Sequence, residues 1–483
     1  MFELLKYDFL KVLYVLTIIF MVILVIQQRG DPMKTIAWLL VVTFVPLLGI
    51  ILYFYFGKNY RKEKIFSRKE LTDSRQIKLL AKYHPDDKPD EAYLSDEKVA
   101  EKSHIIKMLY NSDKALLSGR NRVRILVNGK VTFESIIAEL EKAENHIHLE
   151  YYIIDDDKIG NKIRHILIQK ARAGVEVRVI YDDIGCWSLS DDFINSLKKA
   201  GVQAFPFMPV RFPYFTNKIN YRNHRKIIVI DGKIGFVGGL NIADRYISGN
   251  EELGPWRDTH LKIEGEAVYS LQSVFLLDWY FVSKSIIHDQ DKYFPPADVS
   301  EKLLMQIVAS GPDSDWASSM QTFFSAIATA KSYISISTPY FLPNESILTA
   351  LRTAALSGVD VRMLLPGQSD SKLILWSSFS YIAELLDAGI KVYLYSKGFT
   401  HSKLMIVDDV FCSIGTANMD IRSFDQNFEV NALIYDQRIA IAMRKIFMND
   451  IKDLQSIRIE EWENRKRWVV FRESIARLFS PLL

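Results

Sequence analysis

The chain has only two cysteines, Cys186 and Cys412, in 483 residues. They provide neither a disulfide framework nor a cysteine-based zinc site, and they read as reduced thiols of a cytosolic compartment. Glycine (22) and proline (15) are too sparse for a collagen-like or proline-rich chain. The sequence has no P-loop and no G-x-S-x-G elbow. It also lacks a large charge of one sign. The net charge is +3, and residues 1–62 hold seven Lys or Arg against three acidic residues, so the remaining body is close to neutral. A generic nucleic-acid binder would be clearly basic there, so no nucleic-acid partner is expected. At 49% hydrophobic and 25% charged, the composition is that of a globular core, with length enough for two to four domains.

The uncharged runs are gathered at the start. Val12 to Ile26, extended by Phe9 and Leu10, and Ile36 to Phe56 are almost wholly apolar. Such lengths predict an N-terminal two-helix transmembrane hairpin, with helices at about 9–28 and 36–56. Lys6 and Lys11 precede the first run, and Lys58, Arg61, Lys62 and Lys64 follow the second. Basic flanks of this kind predict both ends in the cytoplasm and a multi-pass protein of the cell membrane. The domain expectation is an anchor over 1–62, a charged linker over 63–104, and two domains over 105–295 and 296–483.

The two domains are expected because the body repeats itself. Ala143-Glu144-Asn145-His146-Ile147-His148-Leu149-Glu150 parallels Ala330-Lys331-Ser332-Tyr333-Ile334-Ser335-Ile336-Ser337, and Ala173-Gly174-Val175-Glu176-Val177-Arg178 parallels Ser357-Gly358-Val359-Asp360-Val361-Arg362. Lys199-Ala200-Gly201-Val202 parallels Asp387-Ala388-Gly389-Ile390. Each pairs a helical stretch with a Gly stop and a β-branched strand, the grammar of an α/β domain.

The sharpest parallel carries the chemistry. His224-Arg225-Lys226-Ile227-Ile228-Val229-Ile230-Asp231 matches His401-Ser402-Lys403-Leu404-Met405-Ile406-Val407-Asp408. Both continue into a small-residue turn and an asparagine, Gly238-Gly239-Leu240-Asn241 and Gly415-Thr416-Ala417-Asn418, and Glu252 and Glu429 each follow their histidine by 28 positions. On a strand, residues i and i+2 face the same way, so each His projects beside its Lys. Packing about a pseudo-twofold would bring two His, two Lys and two Asn to one site. That set suits a phosphodiester. Lysines and asparagines balance the non-bridging oxygens, one imidazole attacks phosphorus, and the other moves a proton to and from the oxygen of the leaving or entering alcohol. Glu252 and Glu429 are expected to fix the histidine tautomers. The cations are side chains, so neither metal nor cofactor is expected.

These strings resemble the double HKD signature of the phospholipase D superfamily. The narrower resemblance is to bacterial cardiolipin synthases of that type. It rests on the anchor, on Trp256-Arg257-Asp258-Thr259-His260, on Arg422-Ser423-Phe424 with Asn427-Phe428-Glu429, and on the terminal Phe471-Arg472-Glu473-Ser474 to Leu482-Leu483. The resemblance implies two homologous α/β/α sandwich domains and a phosphatidyltransferase that converts two phosphatidylglycerols into cardiolipin and glycerol. Phosphatidylglycerol and anionic membrane lipid are then the partners. The implied catalytic set is His224, Lys226, Asp231, His401, Lys403 and Asp408, with His224 as nucleophile and His401 as general acid/base. Asn241, Asn418, Gly239 and Thr416 would line the substrate site, and Asp231 and Asp408 also admit a purely structural role at the strand end. The catalytic residues alone leave the acceptor open; water would make the protein a phospholipase D or another phosphodiesterase.

Other features have plainer readings. His146 and His148 read as a polar strand face rather than a metal pair, and Asp155-Asp156-Asp157 as a solvated turn. The aromatic stretch Phe205 to Phe215 reads either as an ordinary long loop or as an acyl-chain gate. The tail places Trp468, Phe471, Ile475, Leu478 and Leu482 at helical spacing among arginines, the pattern of an amphipathic helix drawn to anionic lipid.

Overall fold

A computed structural model describes residues 2–27, 32–53, 57, 96–210, 220–287 and 291–482. The larger part of the expected linker, and residues 211–219 of the aromatic stretch, lie outside the described residues. The body is α/β. Numbered along the chain, the strands of its main sheet are β1 (Leu117–Val127), β2 (His146–Tyr151), β3 (Glu176–Asp182), β4 (Gln203–Phe207), β5 (Lys226–Ile230), β6 (Ile234–Gly238) and β7 (Thr259–Gly265). They are followed by β8 (Lys302–Ser310), β9 (Tyr333–Ser337), β10 (Asp360–Pro366), β11 (Lys391–Tyr395), β12 (Leu404–Val407), β13 (Phe411–Gly415) and β14 (Glu429–Tyr435).

All fourteen form one sheet in the order β4-β3-β2-β5-β6-β7-β1-β8-β14-β13-β12-β9-β10-β11. The order is a palindrome in which strand n of the first half corresponds to strand n+7 of the second. The two halves meet where β1 pairs antiparallel with β8. Within each half the three outer strands are parallel and linked through helices, and the inner ones are antiparallel. The repeated Gly stops sit where expected. Gly174 and Gly358 have φ of 93° and 92°, a conformation that a side chain resists, and each ends a helix before β3 or β10.

Strand alternation distributes the core. Ile228 and Ile230 of β5 face the helices of the first half, and Met405 and Val407 of β12 face those of the second. Ile227, Val229, Ile406, Cys412, Ile414, Val430 and Ala432 belong instead to a single cluster shared by both halves. The halves are therefore fused through apolar side chains as well as through the β1–β8 ladder. Cys186 and Cys412 are free and buried.

The N-terminal segment differs from the expected hairpin. Phe2–Gln27 is one helix, but the second apolar run is two, Pro32–Phe44 and Pro46–Leu52. Val45 leaves helical geometry (φ −133°, ψ 64°), because Pro46 begins a new helix and has no N–H to continue the old one. Met21, Val25, Val42 and Tyr53 pack together, and Phe20, Ile23, Leu40 and Phe44 point outward. Among the described residues no helix is long and apolar enough to cross a membrane.

Candidate active site

Each histidine lies just ahead of an inner strand, and each strand start leans on the opposite half. The His224 N–H donates to the Phe428 carbonyl (2.9 Å), and Asn223 and Phe428 form a parallel bridge. In the mirror position the His401 N–H donates to the Arg257 carbonyl (2.7 Å), beside a short parallel ladder of Phe399–Thr400 on Trp256–Arg257. This crossing presents each imidazole to a carboxylate from the other half. His224 Nδ1 lies 2.9 and 3.0 Å from the two oxygens of Glu429. His401 Nδ1 lies 2.8 Å from Asp258 Oδ2.

The structure does not place Glu252 at either histidine; it lies exposed in the turn before Trp256. Asp258 occupies the mirror position to Glu429. Gly238 pairs with His260 across β6–β7, and Gly415 pairs with Asn431 across β13–β14, so two residues back Asp258 matches Glu429. The connection from Asn241 to Asp258 is six residues longer than that from Asn418 to Glu429, which makes the equal 28-residue spacing of Glu252 a coincidence. Aligning Trp256-Arg257-Asp258 with Asn427-Phe428-Glu429 would have found it.

Each lysine lies against its own histidine. Lys226 Nζ donates to the His224 carbonyl (2.7 Å), and Lys403 Nζ to the His401 carbonyl (2.8 Å), with Lys403 Nζ also 2.9 Å from the His401 ring nitrogens. All four side chains are buried. The halves share one electrostatic field: Lys403 acts on His224, and Lys226 and His224 act on His401. Tyr152 packs edge-on to His224 with ring centroids 5.0 Å apart, and Tyr246 and Trp256 flank His401 at 5.5 and 5.6 Å. The sequence reading had not assigned these three aromatics to the site.

The remaining residues do different work. Asn241 donates to the Tyr246 hydroxyl (2.7 Å) and accepts from the Ile153 N–H (3.3 Å). Asn418 donates to Asp420 (3.1 Å), and its buried Oδ1 has no protein partner. Gly239 and Thr416 sit against the carboxylates. A Cβ on Gly239 would come within 2.3 Å of Asp258 Oδ1, while the Thr416 hydroxyl helps hold Glu429 ionised.

Asp231 and Asp408 are at the far end of their strands. Asp231 accepts the backbone N–H groups of Glu144, Asn145 and His146 at 2.8–2.9 Å. Asp408 accepts those of Lys331, Ser332 and Tyr333, together with Lys102 Nζ at 3.0 Å. Both adopt φ of 54°, a left-handed position that Asp tolerates. They tie a β-turn to the start of the neighbouring strand, which is the structural role, and they touch neither histidine.

The titration of the site is asymmetric. Burial pushes the His224 imidazole down to about 4, against the pull of Glu429. Burial alone would raise Glu429, but the adjacent His224 and Lys226 outweigh it and hold this carboxyl at about 2. Burial raises Asp258 to about 7, with Lys403 opposing. His401 is pushed well below its usual range by burial and by Lys403 and Lys226. Burial also lowers Lys403 to about 8, and it pushes Lys226 well below its usual range. At neutral pH His224 is thus an unprotonated ring on an ionised carboxylate, while the Asp258–His401 pair is still exchanging its proton. An arriving phosphate anion would favour the charged form of both lysines.

His146 and His148 are buried on a polar part of the strand face. Gln272 bridges them (3.1 and 2.7 Å), and Arg178 meets His148 at 3.0 Å. Asp155, Asp156 and Asp157 are claimed by protein groups: Arg245 on Asp155, Ser190 on Asp156, and the Gly160 N–H on Asp157.

A family model described as "Cardiolipin synthase, PLD-like domain" matches residues 136–279 and 323–451, and one described as "Phospholipase_D-nuclease N-terminal" matches 12–58. The chain is 44% identical over 477 residues to a cardiolipin synthase of Geobacillus kaustophilus, covering 98% of this chain and 93% of that one. It is 39% identical over 475 residues to the major cardiolipin synthase of Bacillus subtilis, covering 98% of each. Among solved structures, a phosphatidylserine synthase of Haemophilus influenzae shares the fold, with a TM-score of 0.62 at 15% identity, over 79% of this chain and 100% of that one.

Proposed function

The chain belongs to the cardiolipin synthase family with phospholipase D-like domains, and from that membership and the crossed site we propose the following course for its reaction. It is a phosphatidyltransferase, and its product is cardiolipin. His224 Nδ1 is engaged by Glu429, which leaves Nε2 to attack the phosphorus of a first phosphatidylglycerol. The P–O bond to the headgroup glycerol breaks, and the Asp258–His401 pair delivers its proton to the leaving oxygen, giving free glycerol and a phosphatidyl-histidine at His224. The terminal hydroxyl of a second phosphatidylglycerol then gives its proton to His401 and attacks the same phosphorus, releasing His224 and cardiolipin. Lys226 and Lys403 balance the charge that grows on the non-bridging oxygens, and the Asn241 and Asn418 amides complete the cradle.

The observation that carries this assignment of roles is the asymmetry of the two carboxylates. An ionised Glu429 makes His224 the better nucleophile, and a proton retained near pH 7 makes Asp258–His401 the better acid and base.

Phosphatidylglycerol labelled in its headgroup glycerol, presented to the purified protein in mixed micelles, tests the reaction. Cardiolipin with equimolar labelled glycerol is expected. Phosphatidic acid with glycerol and no cardiolipin would make water the acceptor and overturn the transfer. In His401→Ala a phosphatidyl adduct on the His224 peptide is expected by mass spectrometry. An adduct on His401 in His224→Ala instead would reverse the roles.

The same reading sets the N-terminal helices at a bilayer, with both ends in the cytoplasm. Its support is the outward side chains of Phe20, Ile23, Leu40 and Phe44 and the basic residues that flank the apolar runs in the sequence. Labelling of Arg29→Cys by an impermeant thiol reagent added outside intact cells is the expected result; labelling only after lysis would place residue 29 in the cytoplasm.

A further inference from the structure

The C-terminal helix, Arg467–Leu478, is mounted inside out. Trp468 (70% exposed), Phe471 (54%), Ile475 and Leu478 (77%) recur every three or four residues along its outer face, and Phe479 and Leu482 prolong the ridge. The inward face holds Glu473, Ala476 and Ser480, which are buried. A helix docked only to satisfy its own protein presents the opposite pattern. The inward contacts are polar and specific. Glu473 takes a two-pronged bond from Arg465 (2.9 Å each), Ser480 bonds Ser377 (2.6 Å), Arg472 lies on the Trp376 ring (4.2 Å), and Arg477 lies on the Tyr381 ring (4.2 Å). The orientation is therefore held, and the apolar ridge faces outward by construction.

We propose that this ridge is an interfacial foot: it sinks into the headgroup–acyl boundary of a lipid bilayer and sets the mouth of the active site against that surface. Three observations choose lipid as the occupant. The outer face joins large apolar side chains to exposed Lys466 and Arg467 at one end, the combination that suits an anionic interface. The aromatic pair Trp468 and Phe471 (ring centroids 5.7 Å apart) occupies the part of the ridge next to those charges, where such rings lie in membranes. The helix is also coupled to the site. It packs on Lys372–Phe379, which contacts Phe341–Leu342, and that strand pairs with Met419–Asp420 immediately after Asn418. Its terminal turn, Ser480–Leu482, touches the short helix Ile421–Asp425.

The proposal rests on the phosphatidyl substrate read above, but its position can be measured without turnover. Both native cysteines are buried, so a spin label on Leu478→Cys in the full-length protein is selective. In vesicles containing phosphatidylglycerol the label is expected to favour oxygen over a water-soluble relaxant and to lie below the phosphates, with a label on exposed Glu460→Cys remaining aqueous. The double variant Phe471→Asp/Leu478→Asp is expected to lose at least tenfold in turnover on bilayer phosphatidylglycerol and to keep within twofold its turnover on a dispersed short-chain analogue. An aqueous label at 478, or equal losses on both substrates, would overturn the foot. So would a dimer in detergent that the double variant dissolves, since the ridge would then be a contact between copies. Failure of the transferase reading shows separately, as wild-type protein that makes no cardiolipin while the label still reports its depth.

Discussion

Replacing Glu429 by Gln separates the crossed arrangement from the sequential one that spacing alone suggests. The substitution keeps the volume and one accepting oxygen but removes the charge that faces His224 Nδ1 at 2.9 Å. As Nε2 takes up phosphorus the ring becomes cationic, so the lost interaction is a charge-assisted hydrogen bond in a buried place. Such a bond contributes about 1.5–3 kcal/mol. At about 1.4 kcal/mol per factor of ten, the chemical step should slow by roughly 10- to 150-fold. Glu252→Gln changes an exposed side chain in a turn and should leave the rate within about twofold. The assay is rapid-quench release of labelled headgroup glycerol in a single turnover, which reads formation of the histidine adduct before the acceptor enters. A normal burst rate in Glu429→Gln, or a slow one in Glu252→Gln, would refute the assignment of carboxylates to histidines.

Other consequences are equally concrete. The carboxyl of Asp258, raised to about 7 in the fold, holds a proton below that pH and loses it above, so the pH–rate profile should carry a limb near 7 that disappears in Asp258→Asn. The same raised value stabilises the fold below about pH 4 and loses that contribution as pH climbs through 7, so the midpoint of urea unfolding should drop across that window in wild type and less in Asp258→Asn. Asp231→Ala strips the acceptor from three backbone N–H groups and should cost about 3 kcal/mol of stability, read by denaturant unfolding, while the fraction still folded keeps its turnover number. Gly239→Val drives a side chain into the space of the Asp258 carboxylate and should slow both the release of headgroup glycerol and the formation of cardiolipin, because the Asp258–His401 pair moves the proton in both steps; single-turnover quenching reads the two separately. Because Lys226 and Lys403 supply the positive charge, activity should persist in EDTA; a strict requirement for a divalent ion would contradict that account.

Much of the architecture could be read from residue order because the repeat is local and periodic. The helix–Gly–strand units reappear as β2–β3 and β9–β10, and the His-x-Lys strings lie at the starts of β5 and β12. What escaped depended on contacts between parts of the chain that lie far apart in sequence, or on local backbone geometry. Glu252 shares its spacing with Glu429, but spacing counts residues along the chain and the site is set by ladder register, where Asp258 is the equivalent. Asp231 and Asp408 read either as members of a catalytic string or as supports of the strand end, and their three backbone partners apiece show them fastening a turn. His146 and His148 read as a polar strand face, but the sequence does not say that helix Ala267–Ser283 covers them and supplies Gln272. The second apolar run looked continuous because hydropathy is indifferent to the missing N–H of Pro46, which the backbone is not. The tail was legible as amphipathic, but which face would be turned inward was not a property of its own sequence.

The exchange of carboxylates has a consequence for ancestry. A half-chain with this topology has a histidine without its own partner and a carboxylate that reaches outward, so it completes a site only by meeting another copy about the twofold now occupied by β1 and β8. Tandem fusion of such a self-pairing half leaves the geometry untouched but frees the copies to drift apart. In this chain the two acids differ: one is Glu, held at about 2, and the other is Asp, raised to about 7 beside a glycine. A symmetric pair would offer two interchangeable histidines. Fusion turns that redundancy into a division of labour, and it makes each half hostage to the other's side chains.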